Sequence, residues 1–436
     1  MTTHAHAAHA SSAPPFDATD PAQVRARADA LLAERPADAP GFERWLVARS
    51  DFDAACAETE ANLYIAMTRN TEDESASGAY TRFIENVSPV LKKASFDLDR
   101  AQAAMHASFP LDAQRYGVLE RDTRADVDLF REENVPIQTE LAKMTQRYEQ
   151  VCGAMTVEFE GREQTLPQMA RYQERTDRGV RERAWRAVAE RRLRDAGTLD
   201  ELFDRMVAKR HEMAQNTGER TFVGYAFRAK HRFDYSPDDC RAFHKAIEEH
   251  CVPVMRELDA QRRRKLKAGK LRPWDMAVDT LGREPLRPFE TAEELTTKTL
   301  RVFEAMGGGL GALFARLTEG DSLDLASRKG KAPGGYQYVR DSSRRPFIFM
   351  NAAGMHGDVR TMIHEAGHAF HSMLSEGDPL VHYRHSPVEF AEVASMGMEM
   401  LSMRHWGEFY PDEADLKRAW RDQLTGVVSV LPWIAT

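Results

Sequence analysis

Four cysteines in 436 residues (Cys56, Cys152, Cys240 and Cys251) provide neither a paired metal-ligand spacing nor a disulfide framework. Buried thiols in a reducing compartment, the cytoplasm, are the expectation. No run approaches the roughly 20 apolar residues that cross a bilayer. Charged residues make up 29% of the chain, so no membrane association is expected. The formal net charge of −8 offers nucleic acid no attractive surface. The basic run Arg181-Glu182-Arg183 to Arg194 is interleaved with acids and reads as a solvated helix face. Met1 to Pro15 has no basic region ahead of an apolar core, so no secretory leader is expected there. Residues 1–20 read instead as a disordered tail that includes His4, His6 and His9. Internal repeats are absent. Gly307-Gly308-Gly309 lacks the Lys-Ser/Thr of a phosphate loop and reads as a helix break. His211-Glu212-Met213-Ala214-Gln215 starts like a zinc motif but has Gln where a second His is needed.

What remains is helix after helix. Residues 21–35, 125–150 and 176–215 carry apolar and charged residues at helical spacing. Strand signals are few. Met155 to Phe159 and Gln164 to Leu166, joined around Glu160-Gly161, read as a small hairpin. Tyr336 to Tyr338 and Phe347 to Met350 read as a second pair. The fold class is therefore mostly α-helical with a small β-sheet. A boundary near residue 200 divides an N-terminal helical lobe (21–200) from a second domain (201–436).

That second domain holds the most informative segment, His364-Glu365-Ala366-Gly367-His368. Residues four apart on an α-helix lie one above the other, so His364 and His368 can offer both imidazoles to one metal ion. Glu365 projects beside them, where a carboxylate can take a proton from water. H-E-x-x-H on a helix is the signature of a zinc peptidase site. Val359, Met362, Ile363, Ala366, Phe370 and Met373 form an apolar stripe, and His364, His368 and His371 form another. Asp358 reads as the N-cap.

A third ligand must come from elsewhere. His371 lies about 10 Å along the axis from His364, too far to share a tetrahedral ion, and is assigned outside the ligand set or to the cleft wall. The long metzincin pattern fails, because Leu374 stands where it needs His. Ser386-Pro387-Val388-Glu389 reads as a capping box opening a later helix, with Glu389 used by the cap. On that helix Glu392 and Glu399, seven apart, share a face among small and apolar neighbours. One would be a ligand and the other would orient a histidine. Spacing alone does not rank them.

Here the chain resembles the oligoendopeptidase F branch of the thimet-oligopeptidase-like (gluzincin) zinc metallopeptidases. The resemblance runs over roughly residues 180–436. It rests on Pro346 to Asn351, Gly354 and Asp358-Val359 leading into the His364 motif, on Phe390-Ala391-Glu392-Val393-Ala394-Ser395, and on Lys331-Ala332-Pro333-Gly334-Gly335-Tyr336. It implies one Zn²⁺ per chain held by His364, His368 and Glu392, with Glu365 as the catalytic base. Glu399, Asp358 and His371 would support the ligands, and Gly334, Gly335, Tyr336, Asn351 and Gly354 would meet the substrate. It also implies two lobes facing a deep channel that admits short peptides. Family chains continue past the third ligand into segments that stabilise the oxyanion, whereas this sequence ends in the apolar run Val427 to Thr436. The catalytic domain is therefore expected to be incomplete. The alternative to an endopeptidase of short peptides is a catalytically impaired peptide- or metal-binding protein.

Overall fold

The computed structural model describes residues 16–435. Met1 to Pro15, with His4, His6 and His9, lie outside the described residues.

The N-terminal part is a helical array of α1 (Pro21–Ala33), α2 (Ala39–Arg69), α3 (Glu74–Arg82), α4 (Ser88–Ser108), α5 (Ala113–Leu129) and α6 (Asn134–Gly153). Asp20 and Asp38 cap α1 and α2 by accepting backbone N–H groups of the first turn, with proline just inside each start. Phe42, Trp45, Leu46, Phe52 and Ile84 fill the core between them. The buried Trp45 indole donates to the Leu31 carbonyl at 2.9 Å. Residues 16–20, read from the sequence as part of the tail, belong to this unit. Phe16 stacks on Phe52 at 5.7 Å, and Ala18 is buried.

The hairpin forms as β1 (Thr156–Phe159) and β2 (Arg162–Thr165), antiparallel, with Val157 opposite Gln164. Glu160 and Gly161 both take positive φ, the geometry a two-residue hairpin turn requires. Leu166 leaves the strand to open α7 (Leu166–Ala170), capped by Thr165. The helical spacing over 176–215 is carried by two helices, α8 (Arg178–Arg194) and α9 (Ala196–Asn216), meeting at Asp195. Residue 200 thus falls inside a continuous helix. α10 (Phe222–Ala229) and α11 (Pro237–Lys265) follow.

The remaining elements surround the H-E-x-x-H helix. They are α12 (Ala292–Met306), α13 (Leu310–Thr318), β3 (Leu323–Ala326), β4 (Tyr336–Arg340), β5 (Arg345–Ala352), α14 (His356–Ser375), α15 (Val381–Arg384), α16 (Val388–Ser402) and α17 (Glu413–Ala435). Gly307, Gly308 and Gly309, all at positive φ, break α12 from α13 as expected. The sheet runs β3-β5-β4, with β3 parallel and β4 antiparallel to β5, which leaves β4 as an edge. Strand alternation sorts the two faces. Ile348 and Met350 pack with Val359, Met362 and Ile363 of α14. Phe347 and Phe349 pack with Ile65 of α2. Among the described residues no helix is long and apolar enough to cross a membrane. All four cysteines are free, Cys56 buried and the others half-buried.

A charged bolt ties the sheet to the N-terminal helices. Lys331, with a fully buried side chain, donates to the Asp324 carboxylate at 2.9 Å and to the carbonyls of Asp324 and Ala326. Arg69 of α2 reaches the same carboxylate at 3.0 Å and Arg328 reaches it at 2.6 Å. Burial raises the Asp324 pKa, but hydrogen bonds from Arg328 and Lys331 outweigh it and bring it to about 2. Burial pushes the Lys331 ammonium down to about 8, against the opposing pull of Asp324. Removing one partner strands the other charge. We expect Asp324→Ala to cost about 3–5 kcal/mol, measured as urea unfolding at pH 7, whereas a loss under about 1 kcal/mol would mean that Lys331 finds other compensation.

Candidate metal centre

α14 owes its position to its own amphipathicity. Val359, Met362, Ile363, Ala366, Ala369, Phe370 and Met373 are buried against the sheet, α12 and α13. The opposite stripe, His356, Arg360, His364 and His368, steps every four residues along one face. Asp358 occupies the third helical position rather than the cap, and its carboxylate accepts the N–H groups of Ala353 and Met355, each at 2.8 Å. It secures the helix entry and orients no histidine.

Gly367 sets how closely α16 can approach. A Cβ added there would lie 2.7 Å from the Cα of Ser395, 3.0 Å from the Ala394 carbonyl oxygen and 3.2 Å from the Met398 Cβ. Backbone therefore packs against backbone, and both acids of α16 reach the histidine face. Glu392 Oε2 lies 3.3 Å from His364 Nε2, and Glu392 Oε1 lies 3.9 Å from His368 Nε2. The three ligand atoms fall within 4.8 Å of one another. Tetrahedral zinc with bonds of about 2.0–2.1 Å separates its ligands by roughly 3.3 Å, so this donor set fits the ion. Ser395 Oγ donates to Glu392 Oε2 at 3.0 Å, restraining that carboxylate.

Glu399 lies on the other side of the ring. Its Oε1 meets His364 Nδ1 at 2.8 Å, and Gln423 of α17 donates to its Oε2 at 2.8 Å. This fixes the imidazole with Nε2 free toward Glu392. Burial raises the Glu399 pKa, yet the hydrogen bonds from His364 and Gln423 hold it below its usual range. Burial lowers the His364 pKa, but Glu399, Glu365 and Glu392 outweigh it and the net shift is upward. At His368 burial wins and the pKa falls, with the nearby His371 among the lowering charges. His371 is half-buried one turn beyond His368.

Glu365, 7% exposed, lies under the β4 edge. Burial pushes its carboxyl up to about 7, His364 pulls it down, and Glu392 adds to the rise. A Cβ on Gly335 would come within 3.9 Å of Glu365 Oε1 and 3.2 Å of the Phe349 carbonyl, so the chain passes the carboxylate here with little room to spare. Gly334, at φ +86°, makes the turn beside it.

Three residues expected to meet substrate do other work. Tyr336 pairs with Phe349, and both side chains leave the sheet on the face turned from α14. Its hydroxyl meets Thr68 Oγ1 of α2 at 2.6 Å, and its ring stacks on Phe349 at 4.7 Å. Asn351 points to that same face and donates to the carbonyls of Ala332 (2.8 Å) and Gly334 (2.9 Å), bracing the glycine loop. Gly354, at φ +84°, is a buried turn residue whose Cβ would meet the Phe289 carbonyl at 3.2 Å. The capping box of α16 also fails to form. Pro387 takes the cap position with no side-chain bond, and Glu389 instead pairs with Arg232 at 2.8 Å and accepts from the Tyr235 hydroxyl. Gln423 was beyond reach of local sequence spacing.

A helix with H-E-x-x-H beside an edge strand, joined by a carboxylate from the next long helix, defines a peptidase. The chain belongs to peptidase family M3, whose signature matches residues 171–431. Solved structures agree. One assigned as oligoendopeptidase F is 25% identical with a TM-score of 0.88, spanning 96% of this chain and 73% of that one. PZ peptidase A, solved with an inhibitor, is 25% identical with a TM-score of 0.86, spanning 94% and 72%. An oligoendopeptidase F from Bacillus anthracis str. Ames, also so assigned, shares the fold at 22% identity and a TM-score of 0.89, spanning 97% and 77%. No curated protein matches this chain.

The crossing at Gly367 has a direct test. Gly367→Ala should destabilise the protein by about 1–3 kcal/mol in thermal or urea unfolding, because the obstruction is backbone, which cannot swing aside. An unchanged midpoint would show that α14 and α16 separate freely.

Proposed function

We propose that the chain is a zinc-dependent endopeptidase acting on internal bonds of short oligopeptides. The observation that carries this reading is the convergence of His364 Nε2, His368 Nε2 and the Glu392 carboxylate beside Glu365. These three side chains would hold one zinc ion. When bound, the ion would supply Lewis acidity, polarising a peptide carbonyl and acidifying water.

The protein's own residues do the rest. An extended peptide adds to the free edge of β4 through backbone hydrogen bonds, which hold it without regard to most side chains. Gly334 and Gly335 keep that approach clear. Glu365, beneath the edge, accepts a proton from water as the carbonyl is attacked and passes it to the leaving amine. Glu399, braced by Gln423, keeps His364 in the tautomer that presents Nε2. The free thiols suit a cytoplasmic setting.

Two measurements test the roles. Glu365→Gln should retain zinc by metal analysis while kcat on a quenched-fluorescent peptide falls about 10²–10⁴-fold. Turnover close to wild type would remove Glu365 as the base. Glu392→Ala should abolish stoichiometric zinc, whereas Glu399→Ala should weaken zinc affinity by about 10–100-fold. The reverse order would exchange their roles.

A further inference from the structure

The histidine face of α14 continues beyond the metal centre. A cavity of about 1410 Å³ holds His364, Glu392 and Glu399, and the same cavity is lined by His356, Arg360 and Asp422. His356 and Arg360 lie two turns and one turn ahead of His364 on one stripe.

Neither side chain is satisfied there. His356 is buried, its side chain 6% exposed, and wedged edge-on against Trp406 at 5.4 Å. Its Nδ1 meets the Tyr410 hydroxyl at 2.6 Å. With that hydroxyl donating, the ring proton sits on Nε2 and faces the cavity. Nε2 is buried and has no hydrogen-bond partner among the described residues. Burial pushes the imidazole down to about 4, so it is a neutral donor at pH 7. Arg360 is similar. Its Nε is buried with no hydrogen-bond partner among the described residues, and Asp422 stands 3.8 Å from Nη1. A buried donor left unpaired is costly, and an arginine fork facing a cavity is suited to a carboxylate.

Asp422 marks the place without filling it. Its carboxylate lies 3.6 Å from His356 Nε2 and 3.8 Å from Arg360 Nη1, beyond hydrogen-bond length for both. Its side chain is 62% exposed, so it can give way. Glu399, another acid of the same cavity, is engaged by His364 and Gln423. Gly426 leaves space at the guanidinium, because a Cβ there would lie 2.8 Å from Nη1.

We infer that Arg360 and His356 form a carboxylate subsite in the cleft, which binds the free C-terminus or an acidic side chain of the peptide. This deepens the peptidase reading and rests on it. Arg360 sits about 6 Å along the helix from His364. An extended peptide advances about 3.3 Å per residue, which places the bound carboxylate roughly two residues from the bond cut. The site would then select peptides by length or by acidic sequence.

The test uses three matched peptides: one with a free C-terminus, its C-terminal amide, and an amide carrying Glu two residues beyond the scissile bond. Binding of each to the full-length Glu365→Gln protein is followed by fluorescence anisotropy, and cleavage by the zinc-loaded wild type gives kcat/KM. One carboxylate-bearing peptide should bind about 10–100-fold tighter than the plain amide, and which one does so identifies the source. Adding Arg360→Gln should bring that ratio close to one, and Arg360→Lys should restore part of it. Circular dichroism melting of both variants separates this from unfolding. Equal binding of all three peptides, or a preference that survives Arg360→Gln, overturns the subsite. Carboxylate-selective binding without any cleavage by the wild type leaves the subsite standing and removes the peptidase reading.

Discussion

The site depends on one missing side chain. At Gly367 the backbone of α14 meets the backbone of α16, with Ser395 Cα 2.7 Å from where a Cβ would stand. Helices normally pack about 8–10 Å apart, at the lower end only where small residues meet. Glutamate is short, and a carboxylate must come within a few ångströms of two imidazoles to share a metal ion with them. Close crossing brings Glu392 to one side of His364 and Glu399 to the other, so a single residue spacing on α16 serves two functions. A wider crossing would leave both acids as solvated surface charges, and His364 would lose the partner that fixes its tautomer.

A second constraint holds the β4 edge in register with that crossing. β4 and the glycine loop before it are fixed from below rather than by the cleft. Lys331 is bound to Asp324, Asp324 to Arg69 and Arg328, and Asn351 to the loop carbonyls. Tyr336 adds a hydroxyl bond to Thr68 on α2. The N-terminal helices therefore support the β4 edge through polar contacts that are costly to leave half made. Among the described residues no further strand pairs with the side of β4 away from β5.

How much of this was legible in the sequence follows from the range of each interaction. The H-E-x-x-H helix was readable because His364, Glu365 and His368 depend only on the helical period, and the apolar stripe depends on it too. The helical fold was readable for the same reason, and four of the five strands were expected, but β3, which pairs parallel to β5, was not. Glu392 and Glu399 were visible as a pair, but ranking them needed a family resemblance, because the crossing with α14 is a tertiary fact. Tyr336 and Asn351 were assigned to substrate because the segments that carry them resemble the family's. The sheet alternates, and odd-numbered β5 residues with their β4 partners face α2 instead. Asp358 and Gly354 sit near the site in sequence and serve the helix entry in space. Gln423, 24 residues past Glu399, carried no local signal at all.

The polar face of α14 shows a common logic. His356, Arg360, His364 and His368 repeat every turn on a helix whose other face is fully apolar, and each faces a group from elsewhere. Tyr410 and Asp422 stand against His356, Asp422 stands against Arg360, and Glu399 and Glu392 flank His364. At the His364 end Glu399 bonds the ring at 2.8 Å, and Glu392 stands 3.3 Å from His364 and 3.9 Å from His368. At the N-terminal end Tyr410 meets His356 Nδ1 at 2.6 Å, while His356 Nε2 and Arg360 Nε are buried and have no hydrogen-bond partner among the described residues. Buried donors are ordinarily paired. Two buried unpaired atoms on the face that carries His364, in residues lining the same cavity, are what a cleft requires if its far end is completed by the molecule it binds.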